Sequence, residues 1–150
     1  MSEHIYELKH PFKYANKGEQ VDASFITVFA PTFKQIDKVA PIKQAFTVAI
    51  DEISSGQEDV KEKEGEKESE GITPSQVLQL LYRANADITK LFLHAQELFK
   101  SGAALVDGES KLTIPLMEKM SLDDFEGLVG VYIANFIVPS LMDGTENSTD

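Results

Sequence analysis

His94 and Glu97 stand three residues apart in a stretch with helical periodicity, which puts an imidazole and a carboxylate one turn apart on one face. Such a pair can offer two ligands to a divalent metal ion. A helical metal site needs more inward carboxylates and a second histidine-bearing motif, and the other histidines, His4 and His10, lie near the start of the chain. An ordinary surface pair is the plainer account. Asp123 and Asp124 could in principle divide acid and base roles between them. Directly after Ser121 and Leu122, however, they occupy a helix's first turn, where carboxylates meet the positive end of the helix dipole. The run Asp107-Gly108-Glu109-Ser110 has too few oxygen ligands for a calcium loop and reads as a turn. No glycine-rich phosphate loop, nucleophile elbow or His-Glu-x-x-His pattern is present. With no cysteine, thiolate nucleophiles, thiolate zinc sites and disulfides are excluded. The reading is a protein without catalytic residues, metal or cofactor, acting through its surfaces rather than as an enzyme.

The whole composition agrees with that. A formal net charge of −11 repels phosphate backbones, so nucleic acid is not an expected partner. Hydrophobic residues at 42% and charged residues at 26% fit one folded domain, and 150 residues can bury roughly 70% of their unfolded surface. Met1 is followed by Ser2, Glu3 and His4 rather than by a basic and then apolar run. No apolar stretch approaches the ~20 residues that span a bilayer. No membrane association is expected, and the cytoplasm is the expected location.

The elements that must position these residues are α+β in class and predominantly α: an amino-terminal β-hairpin followed by about four helices, with an acidic flexible linker between them. Residues 1–30 read as the hairpin. Phe12 and Tyr14 precede Asn16-Lys17-Gly18-Glu19, while Val21, Ala23 and Phe25 alternate with polar residues after it. Phe25 to Phe29 then forms a continuous β-branched and aromatic run. Over residues 31–54, Thr32 is placed to cap, and Ile36, Val39, Ile42, Phe46 and Ala49 follow helical spacing. Pro41 interrupts that pattern, giving either a kinked helix or two short ones with Pro41 in the second helix's first turn, the latter slightly favoured. Residues 55–72 are rich in glutamate, lysine and glycine and read as a mobile linker, with a fluctuating helix as the alternative.

Residues 73–101 carry the strongest helical signal. Thr73, Pro74 and Gln76 form a start signature, and Val77, Leu81, Ala84, Ile88, Leu91, Ala95 and Leu98 hold one stripe. One helix on the order of 40 Å is expected, ended by Gly102. Residues 102–120 are a loop or a small hairpin turning at Asp107-Gly108. Residues 121–139 form the last helix, stopped by Pro139, and residues 140–150 a disordered tail.

This order resembles the tail assembly chaperones of long-tailed bacteriophages, in particular the Mu-type group. Leu8-Lys9-His10-Pro11-Phe12 through Phe29-Ala30-Pro31-Thr32 is similar to that family's β-turn-β start. Met120-Ser121-Leu122-Asp123-Asp124-Phe125 through Phe136 is similar to its closing helix. Together these segments cover about a third of the chain, and the acidic stretch after Ser54 departs from the family pattern as an insertion. The resemblance implies a non-enzymatic factor of the host cytoplasm. Such a factor binds the tape measure protein, keeps its long helices soluble, hands it to tail tube protein and is absent from the finished virion. Many members of the family are also made in a longer, frameshifted form.

The apolar stripes exceed what a hairpin and one interrupted helix can cover, which points to a homo-oligomer or a hydrophobic client. Leu81, Phe92, Phe99, Phe125, Tyr132 and Phe136 are the candidate client-binding residues, although burial in the chain's own core is the commoner fate of such side chains. Two other readings stand beside the chaperone. One is a structural or adaptor subunit of a phage particle; the other is a small helical metal-dependent enzyme resting on His94 and Glu97.

Overall fold

Lys17 and Gly18 take φ angles of 56° and 85°, the left-handed geometry that a two-residue hairpin turn requires. They join β2 (Lys13–Asn16) to β3 (Glu19–Asp22), with Asn16 opposite Glu19. That hairpin is nested inside a second antiparallel pair, β1 (Glu3–Glu7) with β4 (Phe25–Phe29). Leu8 N–H donates to Ser24 O at 3.0 Å and Ala23 N–H to Phe12 O at 2.7 Å, so one bent ribbon runs through both pairs. Paired strands of the expected hairpin therefore run from Glu3 to Phe29, and Ile26, Thr27 and Val28 are buried as a central strand should be.

A four-stranded antiparallel sheet forms when β4 accepts β5 (Ala104–Val106), which turns into β6 (Ser110–Lys111), in the order β1-β4-β5-β6. Of the two readings for residues 102–120, the hairpin is the one realised. Asp107 and Gly108 adopt φ of 53° and 77° at its turn, which aspartate and glycine tolerate better than most residues.

The computed structural model describes residues 3–56, 73–84 and 87–142, and the fold is α+β as the sequence predicts. A 3-10 turn at Phe33–Gln35 leads into α1 (Ile36–Gly56). Thr32 does cap, through its backbone: its N–H donates to Gln35 Oε1 and its carbonyl accepts from Gln35 N–H, both at 2.9 Å. Pro41 lies inside α1 rather than starting a second helix. The carbonyl that loses its donor belongs to Asp37, an exposed residue in the first turn, where water can replace the bond. Val39, Ile42, Phe46 and Ala49 form α1's buried face, each larger side chain contributing about 1.5–3 kcal/mol.

The single helix expected over residues 73–101 is two helices, α2 (Pro74–Arg83) and α3 (Ile88–Leu98). Thr73 and Gln76 make the expected reciprocal cap at the start of α2. The chain then restarts at Asp87, whose carboxylate accepts from Lys90 N–H at 3.1 Å. An aspartate that caps ends one helix and begins another even where the apolar stripe runs on. Residues Phe99–Ala103 form a widened turn ending at Gly102, with φ 118°, as predicted for the glycine.

A single turn, α4 (Ile114–Met117), starts from Thr113. α5 (Leu122–Tyr132) follows from Ser121, whose Oγ accepts from Asp124 N–H at 3.0 Å. Pro139 does not stop the last helix. A widened turn at Ile133–Ile137, in which Val138 N–H reaches Ile133 O, carries it into α6 (Val138–Met142). The extra residue in that turn gives room for the proline ring. The run Leu122–Leu141 is 20 residues long with mean hydropathy 1.2, so one helix is long and apolar enough to cross a membrane, contrary to the expectation of none. Half of it is buried within the chain, and core helices pass the same test. Most of the expected linker (residues 57–72), the expected tail (143–150) and residues 85–86 lie outside the described residues, while residues 55–56 belong to α1 and 140–142 to α6.

α1 packs along α3, α2 along α5, and α5 meets β1. At the α2–α5 crossing, a Cβ built on Gly130 would lie 2.9 Å from Pro74 O. In an open helix, glycine to alanine gains up to about 1 kcal/mol. Here Gly130→Ala should instead cost about 1–3 kcal/mol, because backbone must move. Urea denaturation of the variant gives the sign directly, and a stabilised G130A would contradict this packing.

Candidate functional site

The residues chosen from the sequence for chemistry are dispersed by the fold. Glu97 Oε1 lies 3.4 Å from Lys100 Nζ and is taken up in that pair, while His94 is half-buried on the wall of a cleft. Among the described residues, no three histidine or carboxylate side chains gather in a way that could hold a metal ion. Asp123 is exposed, with its Oδ2 at 4.0 Å from His10 Nε2.

Its neighbour Asp124 has no exposed surface at all. Tyr6 Oη donates to its Oδ1 at 2.8 Å, Lys9 N–H to Oδ1 at 2.9 Å and His10 N–H to Oδ2 at 2.9 Å. Burial alone would push this carboxyl up, but the N–H groups of Lys9 and His10, with Tyr6 and Ser121, hold it below its ordinary 3.8. Burial, and then the bond and charge of Asp124, push the Tyr6 hydroxyl well above the usual phenol range. A carboxylate buried and bonded in this way stays ionised and holds chain segments together, and it presents no surface to a substrate. Asp107 does the same elsewhere: it accepts from Tyr14 Oη at 2.9 Å, Ser24 N–H at 2.8 Å and Phe25 N–H at 3.2 Å. Both clamps were invisible in the sequence, since their partners lie 82 to 118 residues away.

The six candidate client-binding residues do come together, in the interior. Leu81 is fully buried, and Phe99, Phe125, Tyr132 and Phe136 are buried with it, while Phe92 is half-buried against them. Phe125 stands between Phe92 and Phe99 at centroid distances of 5.2 and 6.1 Å. Tyr132 stands between Phe99 and Phe136 at 5.6 and 4.9 Å. Three of these pairs are edge-on and Tyr132–Phe136 is tilted, and aromatic pairs at such distances stabilise a core by about 0.5–1.5 kcal/mol each. As a ready-made docking surface the set is therefore replaced: it is the core itself. Among the described residues Tyr132 Oη has no hydrogen-bond partner, and burial pushes its hydroxyl far above the usual phenol range.

Among the described residues, a concave surface stays open between α1 and α3, a cleft of about 440 Å³. Ala45, Ala49, Ala84 and Leu91 give it an apolar floor. Pro41, Gln44 and Val48 of α1 form one wall, with Val48 49% exposed. Asp87, Lys90 and His94 form the other, and the Asp87 carboxylate is occupied in capping α3. The sequence could have shown this surface only if α1 had been read as continuous through Pro41. The arrangement can hold apolar groups beside one cation and an imidazole, and it offers no nucleophile with a base. Comparison of the chain with known protein families, with curated proteins and with solved structures gives no match.

Two substitutions test the buried polar groups. Asp124→Asn sets an amide where N–H donors converge, and should cost roughly 3 kcal/mol at neutral pH by guanidinium denaturation. Because the folded Asp124 value lies below its ordinary 3.8, its stabilisation is complete above that value and is lost as pH falls through the folded one. The acid-induced loss of stability should accordingly be shallower in D124N than in the parent. Tyr132→Phe removes a hydroxyl that gains nothing, so its melting temperature should equal or exceed the parent's; a loss above about 1 kcal/mol would reveal a partner for that oxygen.

Proposed function

We propose that this chain is a phage tail assembly chaperone, a non-enzymatic protein of the host cytoplasm. On this reading it binds the tape measure protein, keeps that client's long hydrophobic helices in solution and assists their transfer to tail tube protein. The observation that carries the proposal is the open cleft between α1 and α3, which keeps apolar side chains accessible in a strongly anionic protein. An apolar groove of this kind suits amphipathic helices, and a net charge of −11 keeps a loaded complex apart from its neighbours. The resemblance of residues 8–32 and 120–136 to the family supports the same reading. Those two segments also meet, since Lys9 and His10 donate to Asp124.

Co-expression with a phage tape measure protein should raise that protein's soluble fraction several-fold and allow the two to be purified together. An unchanged soluble fraction with no co-purification would refute the chaperone role. Stoichiometric recovery of the chain in purified virions would replace it with the structural-subunit reading.

A further inference from the structure

Leu8 N–H donates to Ser24 O at 3.0 Å, and on the other side of β4 Asp107 N–H donates to Phe25 O at 2.8 Å. These two bonds fix the phase of the antiparallel ladder. Even-numbered residues of β1 and β4 bond one another, and odd-numbered residues of β4 turn to β5. Glu3, Ile5 and Glu7 therefore point their N–H and C=O groups away from β4. β1 is the outermost strand of the four, and among the described residues nothing bonds those groups. All three residues are exposed, Ile5 at 57%. An open ladder of this kind is a template for another strand, and main-chain bonding to it is a recurring way for a protein to capture an extended segment.

Side chains decide which segment fits. Glu3, Ile5 and Glu7 alternate onto one face of the sheet, level with Phe29, Thr27 and Phe25 of β4. Among the described residues neither glutamate has an ion-pair partner. α5 adds Asp123 and the ionised Asp124 beside the turn after β1, where Lys9 and His10 stand. His4 lies on the other face, edge-on to Phe136 at 5.4 Å. Lys13 is taken up by Asp22, and Lys111 stands on β6 at the far edge, roughly 14 Å away. Four carboxylates thus flank this edge against Lys9 and two imidazoles. A second copy is a poor occupant: antiparallel pairing of two β1 strands about Ile5 sets Glu3 opposite Glu7 twice, and like charges directly opposite destabilise a sheet. We propose that the open edge of β1 takes up an extended segment of another protein as an added antiparallel strand, with an apolar residue opposite Ile5 and lysine or arginine opposite Glu3 and Glu7. The recognised pattern is basic-x-apolar-x-basic. This edge is separate from the α1–α3 cleft and from the chaperone reading, so either can fail alone.

Two short designed peptides make the test, each with threonines around a central valine, one carrying lysine and the other glutamate two residues to either side of it. Binding to the full chain is followed by fluorescence anisotropy and by amide hydrogen exchange. In the free chain the Ile5 and Glu7 amides should exchange about ten-fold or more faster than those of Tyr6 and Leu8. The lysine peptide should slow them, and should bind about ten-fold more tightly than the glutamate peptide. Methylating the backbone nitrogen of the central valine should abolish binding, whereas methylating that of the next threonine, which points away from β1, should not. The double variant Glu3→Lys with Glu7→Lys should reverse the preference between the peptides. Should that variant lose the slow exchange of Leu8, and with it the ribbon, the two methylated peptides decide on the parent chain. Equal affinities, no binding of the lysine peptide, or binding that leaves the Ile5 and Glu7 amides unprotected overturns the proposal. So does protection of those amides in a dimer of the chain alone, since a second copy would then be the occupant.

Discussion

A buried carboxylate is costly unless donors surround it, so the place where it stays ionised fixes the chain segments that supply those donors. Asp124 is such a place. It opens α5 and receives the Tyr6 hydroxyl and the Lys9 and His10 amides from the end of β1 and the turn after it. Residues 3–10 and α5 are thereby held in one register. Gly127, one turn further along α5, makes that contact possible, since a Cβ there would lie 2.5 Å from Tyr6 Oη. Asp107 fixes the other side of the ribbon through Tyr14, Ser24 and Phe25. Between the two clamps the ribbon is seated on the helices, and the aromatic core from Phe92 to Phe136 closes beneath it.

What could be read from the sequence was what is decided locally. The Thr73-Pro74-Ser75-Gln76 start, the Lys17-Gly18 turn, the Asp107-Gly108 turn and the Gly102 ending depend on residues within four positions of each other, and each is found where the spacing puts it. Ser121 likewise caps α5. The Asp123-Asp124 pair was legible only in half: both belong to the first turn, as carboxylates there should. Which of them turns inward is decided by amides more than a hundred residues earlier in the chain. The break between α2 and α3 shows the reverse failure. A stripe from Val77 to Leu98 fits one helix or two equally well when both pack on the same core, and a capping aspartate at position 87 decides between them.

The candidate surface moved for a related reason. Large aromatic side chains are as well suited to a core as to an interface, and periodicity does not distinguish the two. Leu81 and Tyr132 belong to α2 and α5, which pack together, and Phe99 in the turn after α3 meets Tyr132 edge-on, so packing removes all three from solvent. Dividing α1 at Pro41 also hid the feature that remains outside. Taken as two short helices, the segment gives Phe33 and Ile36 to one piece and Gln44 and Val48 to another, with no shared face. Continuous through the proline, α1 has two stripes, one into the core and one into solvent.

Those two stripes leave α1 held to the core by one side, with the other in water. Val39, Ile42, Phe46 and Ala49 anchor the helix to its neighbours, while Ile36, Ala40 and Val48 face away. An exposed apolar row of this length would ordinarily favour self-association. Here the charge of −11 on the whole chain opposes the approach of a second copy.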